Sequence, residues 1–333
     1  MDSITHTVLG MVEGELLAGK KLGKKAMLFG AIANNLPDID VVFSFFTSPD
    51  KGLLIHRGIT HSILFAAVFS ICAAIFFSRK IKSLDFNGWL MIWGCGLFSH
   101  ILLDSFTNYG TGWFEPFSHA RVSFNTIFVA DPFYTIWFLI AAIALLISRS
   151  TNPHRMKWVM VAIIPSMSYL LFTFWNKQSV NNIAEKNFTE QNIPVKKIFT
   201  TPTPLNNFLW YIIAEDENGF YTGYHSVFDQ SDKISFSYLP AQHSLADTLK
   251  NNSSLQRLIQ FSDGYYTLTT DSAGNILFND LRFGFSDFKQ PENNVLFSYC
   301  LSKQGEVFSL QKGRMKAINA KSFHQLIERV KGI

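Results

Sequence analysis

Charged residues and cysteines are both scarce in this chain of 333 residues. Asp, Glu, Lys and Arg make up only 16% of it, and no basic stripe alternates with aromatic residues, so we expect no nucleic-acid partner. The three cysteines, Cys72, Cys95 and Cys300, form no CxxC pair, which argues against a thiolate zinc clip or a disulfide framework. The first apolar segment contains Glu13 and Glu15 without a basic leader, so a cleavable signal peptide is not expected.

Several common catalytic motifs are also missing. The sequence has no glycine-rich phosphate loop, no GxSxG nucleophile elbow and no HExxH zinc helix, which argues against the enzyme classes that depend on them. Ser105, Thr107 and Tyr109 lie among other polar residues and could bind a substrate. No base accompanies them, as a serine nucleophile would require.

Long apolar runs are abundant, but only in the first half of the chain. Hydrophobic residues make up 48% of the sequence, and the net charge of +4 lies within residues 1–178, because residues 179–333 carry 15 residues of each sign. Two apolar arms, Ile4–Ala18 and Ala26–Leu36, form a predicted hairpin. Four later segments approach the length of about 20 apolar residues that crosses a bilayer; they are roughly 60–78, 88–107, 133–148 and 156–175.

Basic residues indicate how these segments are oriented. They cluster in three alternating connections, which the positive-inside rule assigns to the cytoplasm. The clusters are Lys20, Lys21, Lys24 and Lys25; Arg79, Lys80 and Lys82; and Arg149, Arg155 and Lys157. The other connections and everything after about residue 176 are then predicted to lie on the extracytoplasmic side.

The second half reads as a water-soluble, β-rich domain. Asn218-Gly219 separates two apolar-aromatic runs, which is a strong hairpin signal. Short helices are expected at 242–250 and 321–331, and His225 is interpreted as a surface residue. We therefore predict a membrane α-helical bundle of about six helices, four of them clear spans, followed by a soluble β-rich α+β domain. The expected boundaries are 1–178 for the membrane domain, 179–204 for a linker and 205–333 for the soluble domain.

Histidines and aspartates of the first half gather at one membrane face in this topology. Ionisable groups next to hydrocarbon are costly, so they indicate a functional site. His100 and Asp104 are the most diagnostic pair, because a spacing of four residues puts them on one helix face. Each pair alone could be a helix-end hydrogen bond or a polar loop. Together they predict a metal site with ligands from His6, Asp38, Asp40, His56, His61, His100 and Asp104.

The mixture of imidazole and carboxylate groups indicates which metal to expect. It favours Zn²⁺, with Mn²⁺ or Fe²⁺ as alternatives, over Ca²⁺ or Mg²⁺. Seven candidates exceed the four ligands of one structural zinc, so either some residues orient the ligands or more than one ion binds. Arg57 is placed to bind an anion such as phosphate, and we assign catalytic roles to Asp38, Asp104 and Arg57. Glu115 and Asp131 could contribute, but a loop charge and a helix N-terminal Asp are the simpler interpretations.

At these residues the sequence resembles the YdjM-like family of bacterial and archaeal inner-membrane proteins, described as membrane-bound metal-dependent hydrolases. The motifs occur in order over most of the chain: MDSITHTVLG, ANNLPDID, HRGITHS, HILLDSFTNYGT, FEPFS, DPFYT, PTPLNNFLW and YTGYHSVFD. The resemblance implies a multi-spanning protein of the bacterial inner membrane and a metal-dependent hydrolase whose site is the same seven residues. A more distant likeness, the HxxxD motif of zinc-dependent phospholipase C, is matched by His100 and Asp104 alone.

Three functions are compatible with these patterns. The leading hypothesis is a hydrolase in which metal-activated water attacks a phosphoester of a lipid or lipid-linked substrate that enters from the bilayer. A transporter would use the same cluster for ion passage, but the spans at 60–78 and 133–148 are apolar in their middles, which argues against it. The third is a membrane anchor that displays the C-terminal domain to a partner, with a metal that only braces the bundle.

Overall fold

The computed structural model describes residues 1–285, 295–304, 307–310, 314–315 and 320–332. Eleven α-helices and nine strands lie within this part of the chain. The predicted fold class is confirmed, because helices fill the first half and antiparallel sheets dominate the second. The chain divides into two compact units: Met1–Val42, Ile55–Trp175 and Pro204–Asn206 form the first, and Phe43–Leu54, Asn176–Thr203 and Asn207–Ile333 form the second.

The first half contains eight helices within its described residues. They are α1 (Ser3–Leu22), α2 (Lys24–Asn35), α3 (Asp40–Ser44), α4 (Pro49–Ile55), α5 (Ile63–Lys80), α6 (Phe86–Ser105), α7 (Pro132–Ile147) and α8 (Arg155–Glu190). Among the described residues, α5, α6 and α8 are long and apolar enough to cross a membrane. The helix α2 and the following segment Pro37–Ser44, bent by 53°, would together make a fourth span. The helix α7 is apolar but has 16 residues.

Glycines allow α1 and α2 to pack backbone against backbone. A Cβ atom on Gly30 would lie 2.0 Å from the carbonyl oxygen of Gly10, and one on Gly14 would lie 2.1 Å from that of Ala26. Pairs of small residues four apart are the usual means by which membrane helices approach this closely. The segments GMVEG and AMLFG carry this signal in the sequence. The contact brings the polar residues of the two helices within hydrogen-bond reach of each other.

The second unit contains two antiparallel sheets. The first has the order β1-β2-β3-β4, and the second has the order β5-β6-β7-β8, with β9 paired to β7. The strands are β1 (Lys197–Pro202), β2 (Leu209–Glu215), β3 (Gly219–Ser226), β4 (Ser237–Pro240), β5 (Tyr266–Thr270), β6 (Ile276–Phe285), β7 (Val295–Gln304), β8 (Val307–Leu310) and β9 (Arg314–Met315). The helices are α9 (His243–Thr248), α10 (Ser253–Phe261) and α11 (Ala320–Val330).

The two sheets of this unit share a core. Side chains of β2 alternate between its faces, as a strand requires. Trp210 and Ile212 pack against the end of α8, whereas Tyr211 and Ile213 pack against Leu281 on the second sheet. The amphipathic α10 covers the other face of that second sheet. The unit is therefore a sandwich with a helix on each outer side.

Several sequence expectations can be compared with this unit. The hairpin at Asn218-Gly219 is confirmed, since β2 pairs antiparallel with β3, and α9 and α11 confirm the two short helices. The interpretation of His225 as a surface residue is wrong. It lies on an inner strand, where it is buried, and this burial lowers its pKa despite the nearby Asp229 carboxylate. Residues 179–204, expected to be a linker, contain the end of α8 and all of β1.

Candidate metal centre

The candidate centre is built at helix ends and turns of the first unit. His6 lies in the first part of α1, and His100 and Asp104 lie in the last turns of α6. Asp38 lies in a 3₁₀ turn between α2 and α3, and His61 ends a 3₁₀ turn before α5. Four separate segments of the chain thus supply side chains to one place.

Two local features shape the turns that carry Asp38 and His61. Pro37 has no backbone N–H and cannot continue the hydrogen bonding of α2, so the chain bends here and turns Asp38 off the helix. Arg57 has a φ of 61°, a left-handed conformation that is rare outside glycine. Hydrogen bonds hold it there: its N–H donates to Asp40 Oδ2 at 3.0 Å, and its carbonyl accepts from Gly112 at 2.8 Å.

Four side chains direct ligand atoms to one point. His61 Nε2 and His100 Nε2 are 3.0 Å apart. Asp38 Oδ1 and Asp104 Oδ2 each lie 3.4 to 3.6 Å from these two nitrogens. Ligand atoms at about 2.0–2.1 Å from a tetrahedral zinc would be separated from each other by about 3.3 Å. The donor set therefore fits a single tetrahedral ion.

The partners of the two Nδ1 atoms indicate which nitrogen of each imidazole is free to bind a metal ion. His100 Nδ1 donates to the backbone oxygen of Asn34 at 2.5 Å, and His61 Nδ1 lies 3.2 Å from Asp40 Oδ2. A neutral ring that is protonated at Nδ1 carries its lone pair on Nε2. Two lone pairs then face each other and two carboxylates. A cation is the group that this arrangement of donors would stabilise.

Asp40 turns toward its neighbours rather than toward that point. Its Oδ1 lies 2.8 Å from His56 Nδ1, and its Oδ2 accepts from the Thr60 hydroxyl at 2.7 Å. Asp38, Asp40 and His56 do lie close enough to form a second possible metal-binding group. The contacts already made by Asp40 favour a role for it in orienting His56 and His61.

His6 and Arg57 reach the centre through the carboxylate of Asp104. His6 Nε2 is 3.1 Å from Asp104 Oδ1, and Arg57 Nε is 2.9 Å from Asp104 Oδ2. The α-amino group of Met1 also pairs with Asp104 Oδ1, and Arg57 Nη1 donates to Thr107 Oγ1 at 2.7 Å. Arg57 is buried in this ion pair. Its contact with a substrate anion, and the catalytic roles assigned above, stay predictions.

Glu115 and Asp131 serve other purposes. Asp131 caps α7, where its Oδ1 accepts from the N–H of Phe133 at 2.9 Å. Glu115 lies 2.9 Å from the exposed His119. The simpler interpretation of each residue is therefore confirmed.

Sequence reasoning missed a polar group behind the centre. Asn34 donates from Nδ2 to Glu13 Oε2 at 3.2 Å and to Ser99 Oγ at 2.7 Å, and Ser99 Oγ in turn donates to Glu13 Oε2 at 2.9 Å. The spacing of His6 and Glu13, seven residues apart on one face of α1, was the available signal. These residues connect α1, α2 and α6.

Apolar helices and a buried His/Asp cluster at their ends define a multi-helix membrane protein with a possible metal-binding centre. The family model described as YdjM inner membrane protein matches residues 1–180. The chain belongs to this family. The matched range contains every residue of the candidate centre.

Two curated relatives are similar to part of the chain. Inner membrane protein YbcI of Escherichia coli (strain K12) is 28% identical over 184 residues, which covers 53% of this chain and 98% of the relative. Uncharacterized protein YfhP of Bacillus subtilis (strain 168) is 30% identical over 157 residues, which covers 44% of this chain and 46% of that relative. About half of this chain has no counterpart in YbcI. No solved structure matches the chain.

Proposed function

We propose that the protein is a membrane-bound, metal-dependent hydrolase that acts on a phosphoester in a lipid or lipid-linked substrate. The observation that carries the proposal is the convergence of four side chains: the Nε2 atoms of His61 and His100 are 3.0 Å apart, and one carboxylate oxygen each of Asp38 and Asp104 lies 3.4 to 3.6 Å from both. Zn²⁺ is the proposed ion, with Mn²⁺ or Fe²⁺ as alternatives, because the donors are imidazole nitrogens and carboxylate oxygens.

The proposed roles follow from burial. His61, His100 and Asp104 are completely buried, and two histidines with one carboxylate form a ligand set known from catalytic zinc sites, which leave a fourth position open. Bound there, an ion would lower the pKa of a water and polarise a phosphoester oxygen. The Asp38 side chain is 20% exposed, so it is the carboxylate that can accept a proton at the accessible side. Arg57 would stabilise negative charge on the substrate.

Exposed apolar side chains lie close to the proposed ligands along the chain, and they support the proposal of a lipid substrate. They are Val41, Val42, Ile59, Phe114 and Phe117. Val41 lies in α3, two residues after the end of the turn that carries Asp38, and Ile59 begins the turn that ends at His61. Exposed apolar groups of this kind suit contact with a membrane or with acyl chains.

A structural ion is the second candidate. Structural zinc sites are usually closed by four protein ligands, and Asp38 would supply the fourth ligand here. The ion would then stabilise the bundle, as in small proteins that fold only with their metal.

Chelation of the full-length protein in nanodiscs distinguishes the two candidates. A panel of phospholipids and simple phosphoesters is tested with EDTA and after Zn²⁺ is restored. The hydrolase proposal expects activity that EDTA abolishes, that Zn²⁺ restores, and that His61→Ala and Asp104→Ala lack. A large fall in melting temperature on chelation, with no hydrolysis of any substrate before it, would favour the structural ion instead.

A further inference from the structure

A small apolar ridge lies at one end of the first sheet. It consists of Phe208, which directly precedes β2, and of Val227 and Phe228, which directly follow β3. The rings of Phe208 and Phe228 have their centroids 5.4 Å apart, and the N–H of Val227 donates to the Phe208 carbonyl at 2.9 Å. Phe228 is 55% exposed and Val227 38%. Single exposed apolar residues are common, but adjoining ones indicate a surface that contacts something apolar.

The helix α8 joins this ridge to the end of a membrane span. The apolar part of α8 ends at Trp175, whose side chain is exposed, and Asn176 follows directly. Asn176 Nδ2 donates to the backbone oxygen of Asn207 at 2.7 Å, and both asparagines are buried. Asn207 is the residue before Phe208. One buried hydrogen bond and one peptide link therefore hold the ridge beside the point where the apolar part of α8 stops.

The rest of α8 leads away from the ridge. Its polar part, residues 176–190, packs along β2. Six residues after the end of α8, the N–H of Lys196 donates at 2.8 Å to the carbonyl of Glu215, the last residue of β2. The helix thus follows β2 from Asn207 toward Glu215. The ridge lies at the end of the sheet nearest the apolar part of α8, and the hairpin at Asn218-Gly219 lies at the far end.

We propose that the ridge docks on the surface of the bilayer that α8 leaves. The headgroup region extends about 5–8 Å beyond the hydrocarbon on each side, and residues tied so closely to the end of the apolar segment lie at this depth. Apolar side chains of surface-bound elements bury themselves at the same boundary. The contact would hold the second unit to the membrane in addition to α8. It does not depend on the proposed metal centre.

The charge beside the ridge also suits a lipid surface. The end of α11 lies against it, because Ser226 Oγ donates to the Val330 carbonyl at 2.5 Å, and a Cβ atom on Gly332 would lie 2.6 Å from the Phe228 carbonyl oxygen. Lys331, between these two contacts, is exposed. A lysine near the membrane surface is attracted to anionic headgroups. Aromatic and basic residues together are typical of interfacial anchors.

Photo-cross-linking of the full-length protein tests the proposal. The photoreactive amino acid p-benzoylphenylalanine replaces Phe228, and the protein is reconstituted into liposomes of phosphatidylethanolamine and phosphatidylglycerol. Ultraviolet light then attaches the side chain to whichever C–H group lies next to it. Mass spectrometry of the peptide that contains residue 228 shows whether this neighbour is a lipid or another polypeptide.

Two further positions serve as controls. Tyr238 is an exposed aromatic residue of the same sheet, but it pairs with Tyr221 close to the Asn218-Gly219 hairpin, at the far end. Leu171 is 71% exposed within the apolar part of α8, so it must face lipid if that part crosses the membrane. We expect lipid adducts with the photoreactive residue at 171 and at 228, and none at 238.

Three results would overturn the proposal. Lipid adducts at 171 alone would show that the ridge faces water. Equal yields at 228 and 238 would show that this end of the sheet has no special contact with the bilayer. A cross-link from 228 to a second copy of the chain would make the ridge a protein interface instead. If the replacement of Phe228 prevents folding, the same replacement at Val227 decides between these results.

Discussion

At the residue scale, the seven candidates from the sequence fall into two groups. Some direct a ligand atom to one point, and the others contact and orient those ligands. The sequence could name all seven, because His and Asp are rare in the apolar half and fall at helix ends. It could not tell which of them are ligands and which orient the ligands. Asp38 and Asp40 look equivalent in the DxD pattern, and only the fold turns Asp38 toward His100 and Asp40 toward His56.

Asp40→Asn tests this division. The variant removes no atom of the four-ligand set but weakens the partner of His61 Nδ1, so we expect Zn²⁺ affinity to fall about 10–100-fold. A competition titration with a coloured chelator measures it. Asp85→Asn, at the exposed N-terminal cap of α6, is the control. Equal affinities in the two variants would contradict an orienting role for Asp40.

At the element scale, apolar length predicted the positions of α5 to α8, because the thickness of the bilayer sets how long such a run must be. The end of α8 was missed for a physical reason. Beyond its apolar part, Val180, Ala184 and Phe188 recur every four residues and pack on Trp210. That spacing marks a helix face, but its partner is a distant strand that the local sequence does not reveal.

The close approach of α1 and α2 gives an element-scale prediction. In Gly30→Ala the new Cβ meets the backbone of Gly10, so the helices must separate at a cost of at least about 1–3 kcal/mol. Because His6 and Asn34 face each other across this contact, Zn²⁺ binding should weaken as well. Thermal unfolding and a Zn²⁺ titration measure both effects.

Gly94→Ala is the control for this variant, since its Cβ would meet only the Ser70 hydroxyl at 3.9 Å. Both substitutions add one methyl group to a glycine in an apolar helix. The packing account requires a lower melting temperature for Gly30→Ala than for Gly94→Ala. Equal melting temperatures would show that α1 and α2 are not held as closely as the structure indicates.

An ion pair in the second unit gives a prediction on pH. Burial would raise the pKa of Asp50, but hydrogen bonding to Ser48 and the Arg257 guanidinium outweigh it and hold the pKa below its ordinary value. Such a group stabilises the fold above its unfolded pKa of about 4, and this contribution is lost as pH falls through the lower folded pKa. Arg257→Met should therefore destabilise the protein most near pH 7.

The measurement is thermal unfolding of the full-length protein between pH 3 and pH 8. The difference in melting temperature between Arg257→Met and wild type should shrink below about pH 4, where protonated Asp50 needs no partner. Lys196→Met, which removes an exposed charge beside Glu217, should change little at any pH. A destabilisation by Arg257→Met that does not vary with pH would argue against the pairing.

At the scale of the whole molecule, the contrast between an apolar and a polar half indicated two parts. The units change over between Trp175 and Asn176, close to the expected boundary. The assignment of Phe43–Leu54 to the second unit could not be foreseen. It depends on the pairing of Asp50 with Arg257 and on Leu53 packing beside Leu249, contacts that join residues far apart in the sequence.

The orientation across the membrane is a proposal at this scale. The candidate ligands lie at the helix ends opposite the basic residues of α1, α2 and α5, so we propose that the centre and the C-terminal unit are extracytoplasmic. Alkaline phosphatase, which is active only outside the cytoplasm, should work when fused after residue 333 and fail when fused at Lys82. The reverse pattern would contradict this orientation.

The metal content of the purified full-length protein shows directly whether the His/Asp cluster binds an ion. Wild type and His119→Ala, which changes an exposed histidine, are compared with His61→Ala and Asp104→Asn by elemental analysis after expression with zinc. The proposed metal centre predicts about one zinc per chain in the first two proteins and a nearly complete loss in the other two. A wild type without bound metal, or full metal content in both ligand variants, would show that these residues do not form a metal centre.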